Sequence, residues 1–327
     1  MYDKNNIPGL FEGITNGDRS ALSRGITLVE SRREQDRKAA SDLISRCLKV
    51  KNNAVRIAIS GSPGAGKSTM IEALGNHVID HGYTLAVLAV DPSSERTRGS
   101  ILGDKTRMQS LVGREGAFIR PSPSGGHLGG VARRTRETSL LCEAAGYDYI
   151  FIETVGVGQS EIAAYQMADL FMLLILPGAG DELQGIKRGI VELADMIVIN
   201  KADGENLTAA KKSKQEYSRA VHLFPEKPSG IPTKVLLASG ITGTGIPELW
   251  NEVSSYIQEA RTGGAFETRR KDQALTWFKE SFQDQLLDRL DKLEGFTTEK
   301  ERLKKAVMEG KITPFQGADE LAKWIRW

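Results

Sequence analysis

The sequence predicts an α/β fold, a mostly parallel sheet flanked by helices, with helical extensions at both ends. Three observations predict it. Short apolar runs, at Val55–Ile59, Leu85–Val90, Tyr149–Ile152, Leu170–Leu176, Met196–Ile199 and Val235–Ala238, alternate with longer helical patterns. Runs with so few polar interruptions suit strands covered on both faces. The residues with evident chemistry follow these runs: 61–69, Asp91, Glu153, 200–203 and Ser239. Open α/β sheets bind ligands at the carboxyl ends of their strands, so separate runs point at one site.

The chain has 327 residues, more than one average domain. The pattern divides it into a helical region 1–50, a central domain 51–261 and a helical arm 262–327. In the first region Asp18 is placed to cap a helix from Arg19 to about Arg33, with Leu22, Ile26 and Val29 on one stripe. The charged run Arg32–Lys38 reads as a solvated face, and Ala39–Leu48 continues the helical pattern. At the other end, Thr262-Gly263-Gly264 reads as a linker. Beyond it Leu275, Phe278, Phe282, Leu286, Leu290 and Leu293 recur at three- and four-residue spacing on a long amphipathic helix. Such a stripe is too apolar to be left in water, which predicts a homodimer through this arm, against the plainer reading that it packs back on its own central domain.

Bulk properties narrow the function classes. Apolar residues make up 40% of the chain and charged residues 26%, the profile of a soluble globular protein. The formal charge of +2 gives no general electrostatic ground for a nucleic acid or an anionic membrane as partner. No window reaches the roughly 18 apolar residues of a membrane span, and residues 1–10 do not read as a secretory signal. Cys47 and Cys142 have no metal-type spacing, which fits a reducing cytoplasm. His77 and His81 stand four apart on a helical stretch, a metal-compatible spacing without a nearby third ligand, so a solvated helix face is the simpler reading.

Gly61-Ser62-Pro63-Gly64-Ala65-Gly66-Lys67-Ser68 matches the phosphate-loop pattern G-x-x-x-x-G-K-[ST] in full. It follows a strand-like run and opens a helical stretch from Thr69 to about Asp80, the context the pattern needs. Glycines let the backbone wrap phosphate with its N–H groups inward, and the helix N-terminus adds its positive dipole end. Lys67 is expected at the β- and γ-phosphates, and Ser68 on Mg²⁺. The fold is therefore expected to be a P-loop NTPase.

Asn200-Lys201-Ala202-Asp203 directly follows Met196–Ile199. Guanine offers two donors, its N1–H and its exocyclic amine, and one carboxylate at Asp203 can accept both. Adenine lacks that pair, so such a site can reject it by as much as ~10⁴-fold. Asn200 is expected to tie the base to neighbouring loops and the Lys201 stem to cover the base plane. Ser239 and Gly240, after a later strand, can offer backbone N–H to the guanine carbonyl. The domain is thus expected to be a G domain that hydrolyses GTP to GDP and phosphate.

Glu153 ends another strand and can hold Mg²⁺, through water, while Gly156 can place its N–H on the γ-phosphate. Asp91 and Asp104 are further magnesium candidates, each also readable as a turn or cap aspartate. Candidate catalytic groups are Lys67, Asp104 and, to position water, Gln159. Between Glu95 and Glu137 nine basic residues face four acidic ones, a phosphate- or partner-contacting surface or a solvated one, and none stands out as an arginine finger. In Pro177–Lys187, Asp181 and Gln184 have capping-box spacing, and the glycines suit a segment that reorders with nucleotide state.

Taken together these motifs resemble the GTPases associated with methylmalonyl-CoA mutase, the MeaB/ArgK type. The resemblance is carried by residues 61–69, Asp91-Pro92-Ser93-Ser94, Ile101–Met108, Glu153–Gln159, Pro177–Lys187 and Asn200–Asp203, with Ile26–Ser31 in the first region. Glutamate at 153, where most GTPases carry aspartate, makes it specific. The resemblance implies a homodimeric G-protein chaperone that couples GTP binding and hydrolysis to loading adenosylcobalamin into the mutase, and to its protection or reactivation. It places Asp91, Asp104 and Glu153 around the metal and makes Gly178–Lys187, with Gln184 and Lys187, a segment signalling to the mutase. No Asp-x-His-x-x-G is present, so adenosylcobalamin is expected on the partner. An older family label, a kinase or ATPase of amino-acid transport, fits Asn200–Asp203 poorly. The competing functions are a GTPase that delivers nickel to a maturing enzyme, and a dimeric scaffold with vestigial hydrolysis.

Overall fold

The computed structural model describes residues 6–31, 33–90, 108–120, 128–154, 159–178 and 188–325. Seven parallel strands form one sheet: β1 Val55–Gly61, β2 Leu85–Val90, β3 Ala117–Arg120, β4 Tyr149–Thr154, β5 Leu170–Ile175, β6 Met196–Ile199 and β7 Lys234–Leu237. Their spatial order is β3-β2-β4-β1-β5-β6-β7. β1, β5 and β6 are buried along their whole lengths, as strands covered on both faces must be. β2, β3 and β4 lie on one side of β1 and β5, β6 and β7 on the other, which puts the carboxyl end of β1 at the switch point where such sheets bind ligands.

The strand expected at Tyr149–Ile152 runs on to Thr154, and the one at Leu170–Leu176 stops at Ile175. β3 was not among the expected runs. It is short, half of it is only partly buried, and it sits at the sheet edge, so it carries little of the apolar signal of the central strands. The helix after the phosphate loop, α4, spans Lys67–Asp80 and packs Met70, Ile71 and Leu74 into the core below Ile57, Ile59 and Phe151.

Three helices precede the sheet: α1 Ile7–Thr15, α2 Arg19–Glu30 and α3 Glu34–Cys47. The Asp18 side chain caps α2 through the N–H groups of Ser20 and Ala21, a device typically contributing about 1 kcal/mol. α2 ends at Glu30 rather than near Arg33, and the charged run from Glu34 opens α3. At Gly25 a β-carbon would stand 2.8 Å from Ile14 and 2.9 Å from Leu141, so glycine lets α2 approach both α1 and the helix Leu128–Ala144. Arg19 bonds the Ala117 carbonyl and Arg120 pairs with Glu30, which ties α2 to edge strand β3.

Beyond β4 the helices are α7 Gln159–Tyr165, α8 Arg188–Leu193, α9 Leu207–Val221 and α10 Ile246–Thr262; α5 Gln109–Val112 and α6 Leu128–Ala144 come before it. A buried ion cluster holds the amino-terminal edge of the sheet. Asp195 accepts from the Phe171 N–H at 2.8 Å, from Arg269 at 2.7 Å and from Lys227 at 3.3 Å. Arg269 also lies over the Tyr165 ring, 4.7 Å from its centroid. Arg56 and Glu143 form a second buried pair at 2.8 Å.

Residues 1–269 and 270–327 are separate compact units, divided within α11 Ala265–Leu290. The second unit also contains α12 Phe296–Met308 and α13 Pro314–Ala322. Phe296 and Trp324 pack edge to face at 5.6 Å, and Thr313 and Gln316 form a capping box. Among the described residues no helix is long and apolar enough to cross a membrane.

The Asp195 cluster yields a stability prediction with a sign. Burial alone pushes the Asp195 carboxyl up, but Arg269, Lys227 and the Phe171 N–H outweigh it and hold it below the usual aspartate range. Its contribution is therefore present above the unfolded value of about 3.9 and is lost as pH falls through the lower folded value. Asp195→Asn should cost about 3 kcal/mol in denaturant unfolding at pH 7, because two cations lose their buried partner. The gap between parent and variant should narrow in acid. An equal gap at pH 7 and pH 3 would contradict an ionised Asp195.

Candidate functional site

The site is built at the carboxyl ends of β1, β4, β6 and β7. In register, Ile59 of β1 faces Glu153 of β4, Gly61 faces Leu174 of β5, and Ile199 of β6 lies between Ile175 and Leu237. The loops leaving these strands therefore start side by side.

The loop 61–66 is shaped by its glycines. Gly61 has φ +152° and its missing β-carbon would lie 2.5 Å from the Leu174 carbonyl; Gly66 has φ +85° and would strike the Asn200 amide at 2.6 Å. Gly66 is the residue from which α4 starts. Lys67, buried, donates from Nζ to the carbonyls of Gly61 at 2.8 Å and Ser62 at 3.0 Å, so its cation is folded back over the loop. Burial lowers the basicity of this lysine, while the carboxylates of Glu153 and Glu161 act the other way.

Ser68 Oγ donates to Glu153 Oε1 at 2.7 Å, joining the first turn of α4 to the end of β4. Beneath this contact Thr154 Oγ1 donates to Ser60 Oγ at 3.0 Å. A hydroxyl and a carboxylate oxygen in contact are hard oxygen donors, the type that Mg²⁺ selects.

Asn200 is buried and connects three segments. Its backbone N–H bonds the Ile175 carbonyl at 2.9 Å, its Nδ2 donates to Ala65 O at 2.7 Å, and its Oδ1 accepts from Gly240 N–H at 3.2 Å. Lys201 follows at φ +56°, the one non-glycine residue with positive φ among the described residues. That left-handed conformation costs on the order of 1 kcal/mol and turns the Lys201 stem back toward Gly66. Asp203 accepts from the Ser239 hydroxyl, which in turn accepts from Thr242 N–H at 3.1 Å. Gly240 lies against the backbone of Thr69 and Met70, 3.0 Å from where its β-carbon would be, so the base loop rests on the start of α4.

The structure thus brings together 61–69, Glu153, Asn200, Lys201, Asp203, Ser239 and Gly240. Asp91, Asp104, Gly156, Gln184 and Lys187 lie outside the described residues, as does the side chain of Gln159, the first residue of α7. Glu161 on α7 was missed by the sequence reading: a charged residue on a helical stretch reads as a solvated one, yet it is buried near Lys67. His77 and His81 stack at 4.2 Å, and among the described residues no group of three or more His, Cys, Asp or Glu is gathered as a metal site.

Residues 22–294 match the family model described as methylmalonyl Co-A mutase-associated GTPase MeaB. The chain is 48% identical to a probable GTPase of Mycobacterium tuberculosis, over 98% of this chain and 95% of that one. It is 41% identical to the GTPase ArgK of Escherichia coli, over 96% and 95%. It is also 41% identical to the mouse protein named methylmalonic aciduria type A homolog, mitochondrial, over 97% and 79%. Among solved structures, one described as an LAO/AO transport system kinase superimposes with a TM-score of 0.78 at 33% identity, covering 99% of both chains.

The Ser68–Glu153 contact generates a metal prediction. Glu153→Ala should raise the Mg²⁺ concentration needed for half-maximal GTP hydrolysis by about tenfold, the order expected when a metal's supporting ligand is lost. Magnesium titrations of parent and variant compare the two directly. Coincident curves would remove Glu153 from the metal site.

Proposed function

This chain belongs to the MeaB family of methylmalonyl Co-A mutase-associated GTPases, and we propose that it is a GTP-hydrolysing chaperone of an adenosylcobalamin-dependent acyl-CoA mutase, most specifically methylmalonyl-CoA mutase. In this reading GTP binding and hydrolysis drive loading of adenosylcobalamin into the mutase and its protection or reactivation, with the cobalamin carried by the partner. The observation that carries it is the joining of a phosphate loop to a guanine-reading motif through Asn200, in a chain whose family is defined by association with that mutase.

The roles follow from the chemistry. The N–H groups of 61–66 and the start of α4 would cradle the phosphates. Lys67 would exchange its bonds to Gly61 and Ser62 for β/γ-phosphate oxygens. Asp203, oriented by Ser239, would accept from guanine, with the Lys201 stem over the ring and Gly240 at the base edge. Ser68 and Glu153, whose oxygens are in contact, would hold a magnesium ion, Glu153 through water, and Asp91 and Asp104 would stand around it. When bound, that ion supplies charge neutralisation for the transferred phosphoryl group.

We assign the homodimer contact to the arm 262–327. Leu275, Phe278 and Phe282 of α11 are 68%, 73% and 60% exposed, an apolar run that a second copy of the chain would cover. Gly178–Lys187, with Gln184 and Lys187, would carry the nucleotide state to the mutase.

Linkage sets the test. A partner that prefers the GTP form must tighten GTP binding by the same factor. Calorimetry with the mutase from the same organism should show at least about a fivefold difference in affinity between the complex with a non-hydrolysable GTP analogue and that with GDP. Lys187→Ala should reduce that difference while leaving the free protein's nucleotide affinity intact. Equal affinities in the two states, or no binding, would contradict the chaperone reading.

A further inference from the structure

Four acidic residues among those described are buried: Glu143, Glu161, Asp169 and Asp195. Structural carboxylates need partners when buried, and three of the four have them. Glu143 pairs with Arg56, Asp169 accepts from the Arg56 N–H at 2.8 Å, and Asp195 is held by two cations. Glu161 differs. It is 6% exposed, and its Oε2 is buried without a hydrogen-bond partner among the described residues. The neighbouring Ser160 hydroxyl is fully buried and also lacks one. The first turn of α7 therefore carries two buried polar atoms, Ser160 Oγ and Glu161 Oε2, without a hydrogen-bond partner among the described residues.

The place of this acceptor gives it a purpose. α7 packs against β1, β4 and β5, the strands whose ends form the phosphate side of the site. The charge of Glu161 acts on the Lys67 ammonium, so the carboxylate stands within electrostatic reach of the group assigned to the β/γ-phosphates. Glu153, the other carboxylate acting on Lys67, already accepts from Ser68. An acceptor left open beside the phosphate loop, in a protein that hydrolyses GTP, matches what an attacking water requires.

We propose that Glu161 is the general base of GTP hydrolysis, its open carboxylate oxygen accepting a hydrogen bond from the attacking water. The water oxygen forms its bond to the γ-phosphorus as the bond from that phosphorus to the β–γ bridging oxygen breaks, and GDP leaves with that electron pair. One proton of the water passes to the Glu161 carboxylate and is then released to phosphate or solvent. The products are GDP, inorganic phosphate and the regenerated carboxylate, with no other reactant. This rests on the phosphate loop seating the nucleotide, and nucleotide affinity is measured separately for that reason.

The experiment uses the full chain, with melting temperature and affinity for a non-hydrolysable GTP analogue determined first. Glu161→Gln keeps the shape and removes the base. Single-turnover hydrolysis should slow by about 100-fold or more, with analogue affinity within threefold of the parent. Formate should restore part of the lost rate to Glu161→Ala, as a substitute carboxylate. Hydrolysis by Glu161→Gln within threefold of the parent would overturn the proposal. So would a parallel loss of affinity and rate, which would make Glu161 part of the phosphate pocket instead. If Glu161→Gln does not fold, Glu161→Asp is measured; withdrawing the carboxylate by one methylene should slow hydrolysis at least tenfold at unchanged affinity, and a parental rate overturns the assignment. Failure of the parent itself to bind the analogue would sink the seating of the nucleotide rather than the role of Glu161.

Discussion

One buried amide holds the site in register. Asn200 is 2% exposed and spans from β5 through the phosphate loop to the loop after β7. Each of its bonds is to backbone, so the geometry does not depend on flexible side chains. Removing a buried partner of this kind leaves main-chain groups unsatisfied, at about 1–3 kcal/mol each. Gly66 has no side chain because the Asn200 amide occupies that space, and Lys201 accepts a left-handed backbone so that Asn200 can point inward. The loop 61–66 and the loop after β7 are consequently tied together through one side chain.

A second layer surrounds this one. Ser68–Glu153 and Ser60–Thr154 bind β1 and α4 to the end of β4, where the chain proceeds toward α7. Lys67 rests on its own loop, its basicity lowered by burial against the opposing pull of Glu153 and Glu161. At the far edge of the sheet the Asp195 cluster fixes the start of β6, the strand that ends in Asn200.

Much of this was legible in the sequence because the signals are local. Central strands read as apolar runs since both faces are covered, and Gly61–Ser68 and Asn200–Asp203 place their chemistry within a few consecutive residues. Asp18 was legible as a cap for the same reason. The parts that escaped depend on contacts between distant residues. β3 is strand by pairing with β2 rather than by its own pattern. Arg269 and Asp195 lie 74 residues apart, and each alone reads as a surface charge. Glu161 on a short helix carries no mark of burial, since burial comes from the sheet it packs against.

The GDP affinity of Asn200→Asp, measured by calorimetry alongside its melting temperature, tests the role of Asn200 most directly. The substitution sets a carboxylate oxygen where Nδ2 now donates to the Ala65 carbonyl at 2.7 Å. If Asn200 joins the two sides of the nucleotide site, GDP affinity should fall at least about tenfold, with xanthosine diphosphate bound no better, because the whole pocket is displaced rather than its base preference exchanged. A folded variant that binds GDP within twofold of the parent would contradict the account.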